Sequence, residues 1–258
     1  MKIIAIGNHK GGVGKTQTTF EFAWWNARHG KKVLVIDTDP QANITKLLLD
    51  GNTPRGRAFP DILVSGKPIS HDDINTRKIG NNQSIDFIVS NIELSRIEGR
   101  IISNVPKEYI MGDVIAPISA DYDLILIDMA PSAELLGIST LVASDGVLIT
   151  TNLDIMSVDG THSLVNLIND VKSEPRLNPK IELLGILVTK YKKTLITIFH
   201  GDAIKKHYPE HLIPTYIRES TKVQQATTRG LAIMEYDPTC TSAKDYESVF
   251  NELSSKIK

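Results

Sequence analysis

A short apolar run at the start of the chain, followed by a glycine-rich turn and a helix-forming segment, constrains the fold more than any other feature. Lys2–Gly7 has the length and the Ile content of a buried strand, and Lys15–His29 has helical spacing. Glycines crowd the connection between the two segments. The chain therefore opens with a strand that turns tightly into a helix.

The alternation of apolar, strand-length runs with helix-period segments continues along the chain. Continuous Val, Ile and Leu strands separated by helices predict an α/β fold: a doubly wound, mostly parallel sheet with helices on both faces. The predicted strands are Lys2–Gly7, Lys32–Ile36, Ile85–Ser90, Leu124–Asp128, Gly146–Thr150 and Leu183–Thr189. The predicted helices are Lys15–His29, Ala133–Val142, Ser157–Val171, Ile196–His207, Thr221–Arg229 and Ala243–Lys256.

We expect one domain over residues 1–258, since single α/β domains of about 200–250 residues are common. Hydrophobic residues make up 41% of the chain, which is enough for a sizeable core. Residues 51–82 are rich in Gly, Pro, Asn and Asp. This composition predicts a loop-rich insertion with room for one short helix, rather than a separate domain.

Charge and cysteine content exclude several classes of protein. The 29 Lys and Arg residues nearly balance the 30 Asp and Glu residues, so any DNA-binding surface must be a local basic patch. Cys240 is the only cysteine, which excludes a disulfide framework, a Cys-rich zinc site and an iron–sulfur cluster bound by this chain alone. We see no signal peptide and no apolar stretch of about 20 residues, so the expected location is cytoplasmic.

The segment Asn8–Thr16 carries the residue types that phosphate binding needs. Glycines let backbone N–H groups turn toward phosphate oxygens, and the following helix directs the positive end of its dipole at them. Lys15 would contact the β- and γ-phosphates, and the Thr16 hydroxyl would hold Mg²⁺. The segment departs from the standard G-x-x-x-x-G-K-[ST] pattern, because His9 stands at the first glycine and Lys10 is an extra lysine. A chance glycine-rich turn is the alternative, and the flanking strand and helix count against it.

The string Lys-Gly-Gly-Val-Gly-Lys-Thr at residues 10–16 resembles the deviant Walker A motif of the ParA/Soj/MinD superfamily. The resemblance implies an ATPase in which Lys15 is catalytic and Lys10 reaches across a nucleotide-sandwich dimer to the partner's phosphates. The family usually has Thr or Ser, which touches the α-phosphate, at the position of Gln17. The glutamine is therefore compatible with a weaker nucleotide contact, or one of different specificity, at this position. The residues implied to bind ATP here are Gly11, Gly12, Val13, Gly14, Lys15, Thr16 and Gln17.

Carboxylates end two of the predicted strands. Val33–Ile36 runs into Asp37-Thr38-Asp39-Pro40-Gln41, and Leu124–Ile127 runs into Asp128. The carboxyl ends of strands in a parallel sheet form its ligand-binding edge, so we expect these carboxylates near the glycine-rich loop. Asp and Pro are also common in turns, and any strand can end in an Asp that caps a helix. Alone, the first acidic segment fits a turn and a ligand site equally and the second is a weak signal, but in series with the glycine-rich loop they indicate function.

The same acidic segments resemble the family's Asp-x-Asp-Pro-Gln motif, Walker B strand and switch II. By that resemblance Asp37 and Asp128 lie in the Mg²⁺ shell with Thr16, and Asp39 is a catalytic residue that positions or polarises the attacking water. In such a phosphoryl transfer the metal and lysines neutralise charge while a carboxylate orients the nucleophile. Switch II usually reads Asp-x-Pro-Pro-Ser, and an alanine replaces its first proline in Asp128-Met129-Ala130-Pro131-Ser132.

Three segments of the C-terminal third extend the resemblance. Gly185–Thr194 looks like the family's strand and turn before a DNA-facing helix, and Gly230–Pro238 matches its closing turn. Ile217–Ala226 is similar to a stretch that begins near the adenine and continues into a helix. This similarity implies that Ile217 and Arg218 also contact the nucleotide.

The resemblance implies DNA binding at two lysines. Family members carry basic residues that contact DNA non-specifically at the positions of Lys193 and Lys222. These residues are more often Arg, but Lys also neutralises phosphate. A second interpretation is that the basic pairs Lys192-Lys193 and Lys205-Lys206 are ordinary solvated surface. Sequence-neutral DNA binding needs several phosphate contacts from one face, which these pairs alone do not establish.

The resemblance runs from residue 2 to about residue 253 and implies a small DNA partition (segregation) ATPase. Its cofactors would be ATP and Mg²⁺. ATP binding would close a homodimer, which would bind non-specific DNA and associate with the nucleoid. A centromere-bound ParB-type partner would then stimulate hydrolysis and release.

Three other functions occur within the superfamily. A MinD-like ATPase would need a membrane-targeting helix, whereas Ala243–Lys256 has an apolar face typical of a core-packed helix and too sparse a basic face, so we expect no membrane binding. A relative of nitrogenase iron protein is excluded, because a cluster bridging two subunits needs two cysteines from each. An ATPase that positions another cargo, such as a polysaccharide-synthesis or chemotaxis complex, is not distinguished by the sequence.

Overall fold

The computed structural model describes residues 1–80, 82–97, 101, 106–131 and 135–257, whose strands form one seven-stranded sheet. These strands lie in the order β3-β4-β2-β5-β1-β6-β7, and each neighbouring pair is parallel except β3 with β4. The mostly parallel sheet predicted from the apolar runs is confirmed. The strands are β1 Lys2–Gly7, β2 Val33–Asp37, β3 Asn75–Lys78, β4 Ser84–Ile88, β5 Leu124–Asp128, β6 Gly146–Thr151 and β7 Glu182–Val188.

The predicted strands and helices agree with the structure to within about two residues at each end. One exception is the helix predicted from Ala133, whose first residues, like Ser132 of the switch II resemblance, lie outside the described residues. Three helices, α2, α4 and α9, were not predicted. The helices are α1 Lys15–Arg28, α2 Asn43–Leu49, α3 Phe59–Ser65, α4 Ile110–Ser119, α5 Leu135–Ala143, α6 Ile155–Ser173, α7 Leu195–His207, α8 Thr221–Thr228, α9 Ile233–Tyr236 and α10 Thr241–Lys256.

Helices cover both faces of the sheet, as predicted. Successive side chains of a strand point to opposite faces. Accordingly Ile4 and Ile6 of β1 join the core beneath α1 and α10, whereas Ile3 joins a core with α3 and α4, and Ala5 a core with α6. The interpretation of the last helix as core-packed is confirmed, since its apolar face is buried at Tyr246, Val249, Phe250 and Leu253.

Residues 51–82 hold more regular structure than their composition suggested. Besides α3, the segment contains a short 3-10 helix at His71–Asp73 and the strand β3. β3 pairs antiparallel with β4 at the edge of the sheet. Its sequence Asn-Thr-Arg-Lys has no apolar run, because an edge strand is half open to solvent, so hydrophobic patterning does not reveal it.

None of the helices in the described ranges is long and apolar enough to cross a membrane.

Candidate active site

A cavity of about 950 Å³ opens at the carboxyl ends of β1, β2 and β5. The strand order β2-β5-β1 brings the three predicted motifs together, because each motif follows one of these strands. The expectation that the carboxylates lie near the glycine-rich loop is confirmed. The cavity is lined by Gly11, Gly12, Gly14, Lys15, Thr16, Gln17, Asp39, Gln41, Asn43, Lys46, Leu47, Asp50, Gly51, Pro131, Lys190, Val223, Gln224, Thr227, Thr228 and Gly230.

The loop after β1 takes backbone conformations that favour glycine. Gly12 and Gly14 have φ angles of 78° and 80°, in the left-handed region. A Cβ on Gly14 would also stand 3.0 Å from Oγ1 of Thr189, whose hydroxyl donates to the carbonyl of Val13 at 2.9 Å. Helix α1 begins at Lys15, so the free N–H groups of its first turn lie beside the cavity, which is the arrangement that binds anions.

Lys15 is buried and its ammonium group lies within the loop. Its Nζ donates a hydrogen bond of 2.9 Å to the carbonyl of Lys10. Burial lowers the pKa of Lys15, and the nearby carboxylates of Asp128 and Asp39 oppose that shift. A buried ammonium between two acidic motifs is in a position to neutralise phosphate charge.

Asp128 ties the end of β5 to the first turns of α1. Its Oδ2 accepts from the Thr16 hydroxyl at 2.8 Å, and its Oδ1 accepts from the Thr19 hydroxyl at 3.1 Å. Asp37 lies in direct register with Asp128 across β2 and β5. The Oδ2 of Asp37 accepts from the hydroxyl and the backbone N–H of Thr45, at 2.6 and 3.0 Å.

This pair of acids fits a divalent cation. Asp37 and Asp128 are both buried. Burial raises the pKa of each carboxyl, and the charge of Asp37 raises that of Asp128 further. A cation would offset this repulsion, and two carboxylates with the Thr16 hydroxyl are oxygen ligands of the kind that Mg²⁺ prefers. Across the described ranges no cluster of three or more His, Cys, Asp and Glu residues is arranged for a metal, and Mg²⁺ usually completes its shell with water and phosphate.

Asp39 lies at the rim of the cavity, less buried than Asp37. Its backbone N–H donates to Oδ1 of Asp37 at 3.0 Å, and its own Oδ1 accepts from the backbone N–H of Gln41 at 2.8 Å. These bonds fix the carboxylate within its own turn while it lines the cavity. The water-positioning role of Asp39 stays a prediction.

Lys10 pairs with a residue that sequence reasoning missed. Its Nζ lies 2.7 Å from Oδ1 of Asp154, and the two side chains are 28% and 42% exposed. Asp154 also caps α6 by accepting from the backbone N–H of Ser157 at 3.0 Å. Burial raises the pKa of Asp154, but hydrogen bonds from Lys10 and Ser157 outweigh it and hold that pKa below its usual value. The Asp-x-x-Ser spacing signals a helix start, but not the pairing with Lys10. The reach of Lys10 to a partner stays a prediction.

Gln17 lines the cavity, but its amide is engaged inside the protein. Its Nε2 donates to Oε1 of Glu21 at 2.7 Å, and its Oε1 accepts from the Thr227 hydroxyl at 2.7 Å. Thr227 belongs to α8, far from Gln17 in the chain. The spacing of residues on α1 gave no signal for this connection.

The structure does not bring Ile217 and Arg218 into the cavity lining. Ile217 is buried, and its carbonyl accepts from the backbone N–H of Tyr191 at 2.9 Å. Arg218 donates to both carboxylate oxygens of Asp245, from Nη2 at 2.6 Å and from Nε at 2.9 Å. The nucleotide contacts expected of these two residues stay a prediction.

The two lysines expected to bind DNA are exposed, and acidic residues compensate part of the charge around them. Lys222 forms an ion pair with Asp237, which raises the pKa of Lys222. Lys193 follows Lys192, whose ammonium pairs with Glu219. DNA binding by these residues stays a prediction.

Arg77, on the unpredicted strand β3, connects two walls of the cavity. Its guanidinium donates to the carbonyls of Leu47 and Gly230. It also lies 3.6 Å from the carboxylate of Asp50. Leu47, Asp50 and Gly230 all line the cavity. Because β3 has no apolar signal, no sequence pattern singles out Arg77.

Known proteins are similar in sequence to this chain over almost its whole length. A family model described as an AAA domain matches residues 1–183. The sporulation initiation inhibitor protein Soj of Bacillus subtilis is 31% identical over 254 residues, covering 98% of each chain. The chromosome partitioning protein ParA of Caulobacter vibrioides is 27% identical over 259 residues, covering 99% of this chain and 95% of its own.

The fold is also shared with a solved structure. An ATP complex of a Cyanothece McdA variant superposes with a TM-score of 0.85 and 23% identity, covering 98% of this chain and 96% of that chain. The full-length similarity to Soj and ParA agrees with the deviant glycine-rich loop and the two acidic strand ends that meet at one cavity. The chain therefore belongs to the ParA/Soj/MinD family of P-loop NTPases.

Proposed function

We propose that this chain is an Mg²⁺-dependent ATPase that acts in DNA partition. The observation that carries the ATPase assignment is that Lys15 and Thr16 line one cavity and that the Thr16 hydroxyl donates to the buried Asp128 at the end of β5. The McdA complex that shares the fold contains ATP. The partition assignment is supported by the nearly full-length similarity to a chain named for chromosome partitioning.

Different residues of the site have different roles in phosphoryl transfer. Thr16, Asp37 and Asp128 would hold Mg²⁺, which supplies charge neutralisation at the phosphates when bound. Lys15 and the N–H groups at the start of α1 bind the phosphate oxygens. Asp39 orients the attacking water, and it need not be a strong base, because positioning and charge stabilisation dominate this reaction.

Lys10 links hydrolysis to a homodimer. In the single chain its ammonium pairs with Asp154, and both side chains are partly exposed. An ion pair exposed in this way is worth about 0–1 kcal/mol. Lys10 can therefore leave Asp154 at little cost and contact the phosphates bound by a partner.

The ATP-bound dimer would hold non-specific DNA through Lys193 and Lys222 and associate with the nucleoid from the cytoplasm. Lys193 follows the carboxyl end of β7, and Lys222 lies in the first turn of α8. A ParB-type protein bound at a centromere would stimulate hydrolysis, and the dimer would then release the DNA. Phosphate contacts of this kind make binding strongly dependent on salt.

DNA binding by the purified protein tests this function. We would titrate a non-specific duplex without nucleotide, with Mg-ADP and with Mg-ATP, over a series of salt concentrations. ATP should give salt-sensitive binding that Lys193→Ala weakens, with a shallower salt slope. Lys180→Ala is the matched control, because Lys180 is exposed at the amino end of β7 and Lys193 follows its carboxyl end. Equal DNA binding in all three nucleotide states, or no DNA binding at low salt, would contradict the proposed role in DNA partition.

One observation favours a second candidate, an ATPase that positions a membrane-bound or protein cargo. Helices α6 and α7 contact each other, and the first turns of both expose large apolar side chains, which we together call the α6–α7 surface. Exposed apolar residues that gather in one place usually mark an interaction site. Flotation with anionic vesicles, comparing wild type with Phe199→Asp, tests the membrane form of this alternative. The α6–α7 surface consists of Ile155, Met156, Leu195, Ile196, Ile198 and Phe199.

A further inference from the structure

Glu21 lies one helical turn after Gln17 on α1, and its side chain is completely buried. Its Oε1 accepts two hydrogen bonds, from Nε2 of Gln17 at 2.7 Å and from the backbone N–H of Ile233 at 2.8 Å. Its Oε2 has no hydrogen-bond partner within the described ranges. Burial raises the pKa of Glu21 to about 8. At neutral pH the group is therefore mostly protonated, and it serves as a neutral acceptor through Oε1.

Gln17 carries this connection into the wall of the cavity. Its Oε1 accepts from the Thr227 hydroxyl on α8 at 2.7 Å, and Gln17 and Thr227 both line the cavity. Ile233 is the first residue of α9, the helix that follows α8. Glu21 thus connects α1 to α9 directly and to α8 through Gln17.

Helix α8 has little other support from buried side chains. Ala226 is its only buried residue, whereas Val223, Gln224 and Thr228 line the cavity together with Thr227. Most helices in proteins are stabilised by packing of an apolar face. Val223 packs partly buried against the core, and the Tyr236 hydroxyl donates to Oε1 of Gln225 at 3.1 Å. With so few supports, the polar connection to α1 contributes to the position of α8 beside the cavity.

We propose that Glu21 is a positioning residue of the nucleotide site, and that it acts through Gln17 to hold α8 against α1 as a wall of the cavity. A nucleotide bound at the loop then meets a wall that is already in place, so less ordering accompanies binding. Gln17 serves as the connection between α1 and α8 in place of the α-phosphate contact expected at its position. The inference rests on the proposed function, because it requires a nucleotide in this cavity.

Calorimetric titration with Mg-ADP tests the proposal in the full chain. Thr227→Val removes the hydroxyl that bonds Gln17, and Glu21→Leu removes the acceptor. Each should raise the Mg-ADP dissociation constant about fivefold, the effect of one ordinary hydrogen bond. Glu21→Gln keeps a neutral acceptor and should stay within about twofold of wild type. Thr221→Val is the matched control, because Thr221 lies exposed on the same helix and outside the cavity lining.

Two further readouts separate positioning from folding. In steady-state kinetics the KM for ATP should rise, while kcat stays within about twofold of wild type, because Lys15 and Asp39 are unchanged in these variants. The double variant Glu21→Leu/Thr227→Val should bind about as weakly as each single variant, since both break one connection. If Glu21→Leu fails to fold, the comparison of Thr227→Val with Thr221→Val carries the test.

Three results would overturn the proposal. Unchanged Mg-ADP binding by Thr227→Val and Glu21→Leu would remove it while the proposed function stands. Equal losses of Mg-ADP binding in Thr227→Val and Thr221→Val would do the same, because the effect would then belong to α8 in general. Absence of Mg-ADP binding by the wild type would remove the proposed function and this inference with it.

Discussion

The hydroxyl of Thr16 donates a 2.8 Å hydrogen bond to Oδ2 of Asp128, although 112 positions separate the two residues in the chain. The bond joins the start of α1 to the end of β5. It exists because β1 and β5 are neighbouring parallel strands whose carboxyl ends meet at one edge of the sheet. The strand end at Asp128, which is a weak signal alone, becomes part of the site of the glycine-rich loop through this contact.

Asp128→Asn should lower ATP hydrolysis by roughly 100-fold or more, because Mg²⁺ would lose a charged ligand. The amide has nearly the same size, so the fold should persist. Steady-state phosphate release with Mg²⁺ measures the effect. Asp123→Asn is the control, since Asp123 precedes the same strand at its other end and accepts from the backbone N–H of Lys32 at 2.9 Å. Hydrolysis by Asp128→Asn at the rate of this control would exclude Asp128 as a metal ligand.

Lys10→Ala should prevent ATP-dependent dimerisation while leaving the single chain almost as stable as before. The Lys10–Asp154 pair is partly exposed, so its loss should change the free energy of unfolding by less than about 1 kcal/mol. Light scattering after size exclusion, with and without Mg-ATP, measures the dimer. Asp154→Asn is the control, because Asn still caps α6 and leaves Lys10 free to move. A dimer formed equally by wild type and Lys10→Ala would contradict the trans role of Lys10.

Glu21→Gln should change how stability depends on pH. The pKa of Glu21 rises from an ordinary value of 4.5 to about 8 in the folded chain, because the group is buried. Between those values the unfolded chain has lost a proton that the folded chain keeps, so the free energy of unfolding falls as pH rises. The slope from this one group is at most about 1.4 kcal/mol per pH unit. The glutamine of the variant cannot titrate. The free energy of unfolding of the variant should therefore increase relative to that of the wild type as pH rises from about 5 to about 8.

Urea denaturation at several pH values measures this difference. Other groups that face Glu21 contribute to the wild-type curve: Glu235 raises its pKa by charge repulsion, and Tyr246 lies close enough to feel its charge. Both are kept in the variant, so the difference isolates Glu21. Glu247→Gln, at an exposed position of α10, is the control. A constant difference between wild type and Glu21→Gln over this range would show that Glu21 is ionised throughout.

Arg77→Ala should destabilise the chain by about 2–4 kcal/mol, because it leaves two carbonyls without their buried donor. It should also weaken Mg-ADP binding, since those carbonyls belong to Leu47 and Gly230 in the cavity wall. Arg77→Lys should recover only part of the stability, because an ammonium lacks the planar fork of the guanidinium. Arg96→Ala, at an exposed pair with Glu93, should change stability by less than about 0.5 kcal/mol. Thermal and urea unfolding of Arg77→Ala, Arg77→Lys and Arg96→Ala measure these differences in stability.

The sequence predicted the central strands and most of the helices, because a strand buried on both faces must be a run of apolar residues. Edge strand β3 and helices α2, α4 and α9 were not predicted, and α9 has only four residues. β3 is polar because it lies at the edge of the sheet, α2 is short, and Gly112 and Pro117 weaken the helical pattern of α4. Hydrophobic periodicity reports only elements whose burial is extensive and regular.

The sequence by itself determined the chemistry of the loop at residues 10–16, because glycines, lysine and threonine that act together there are neighbours in the chain. Tertiary structure alone decided which distant residues support that chemistry. Asp154 pairs with Lys10, and Glu21 reaches Thr227 through Gln17, across gaps that no local pattern spans. A buried polar group must find a partner wherever the packed chain supplies one, so its identity is fixed by the fold and not by its neighbours in sequence.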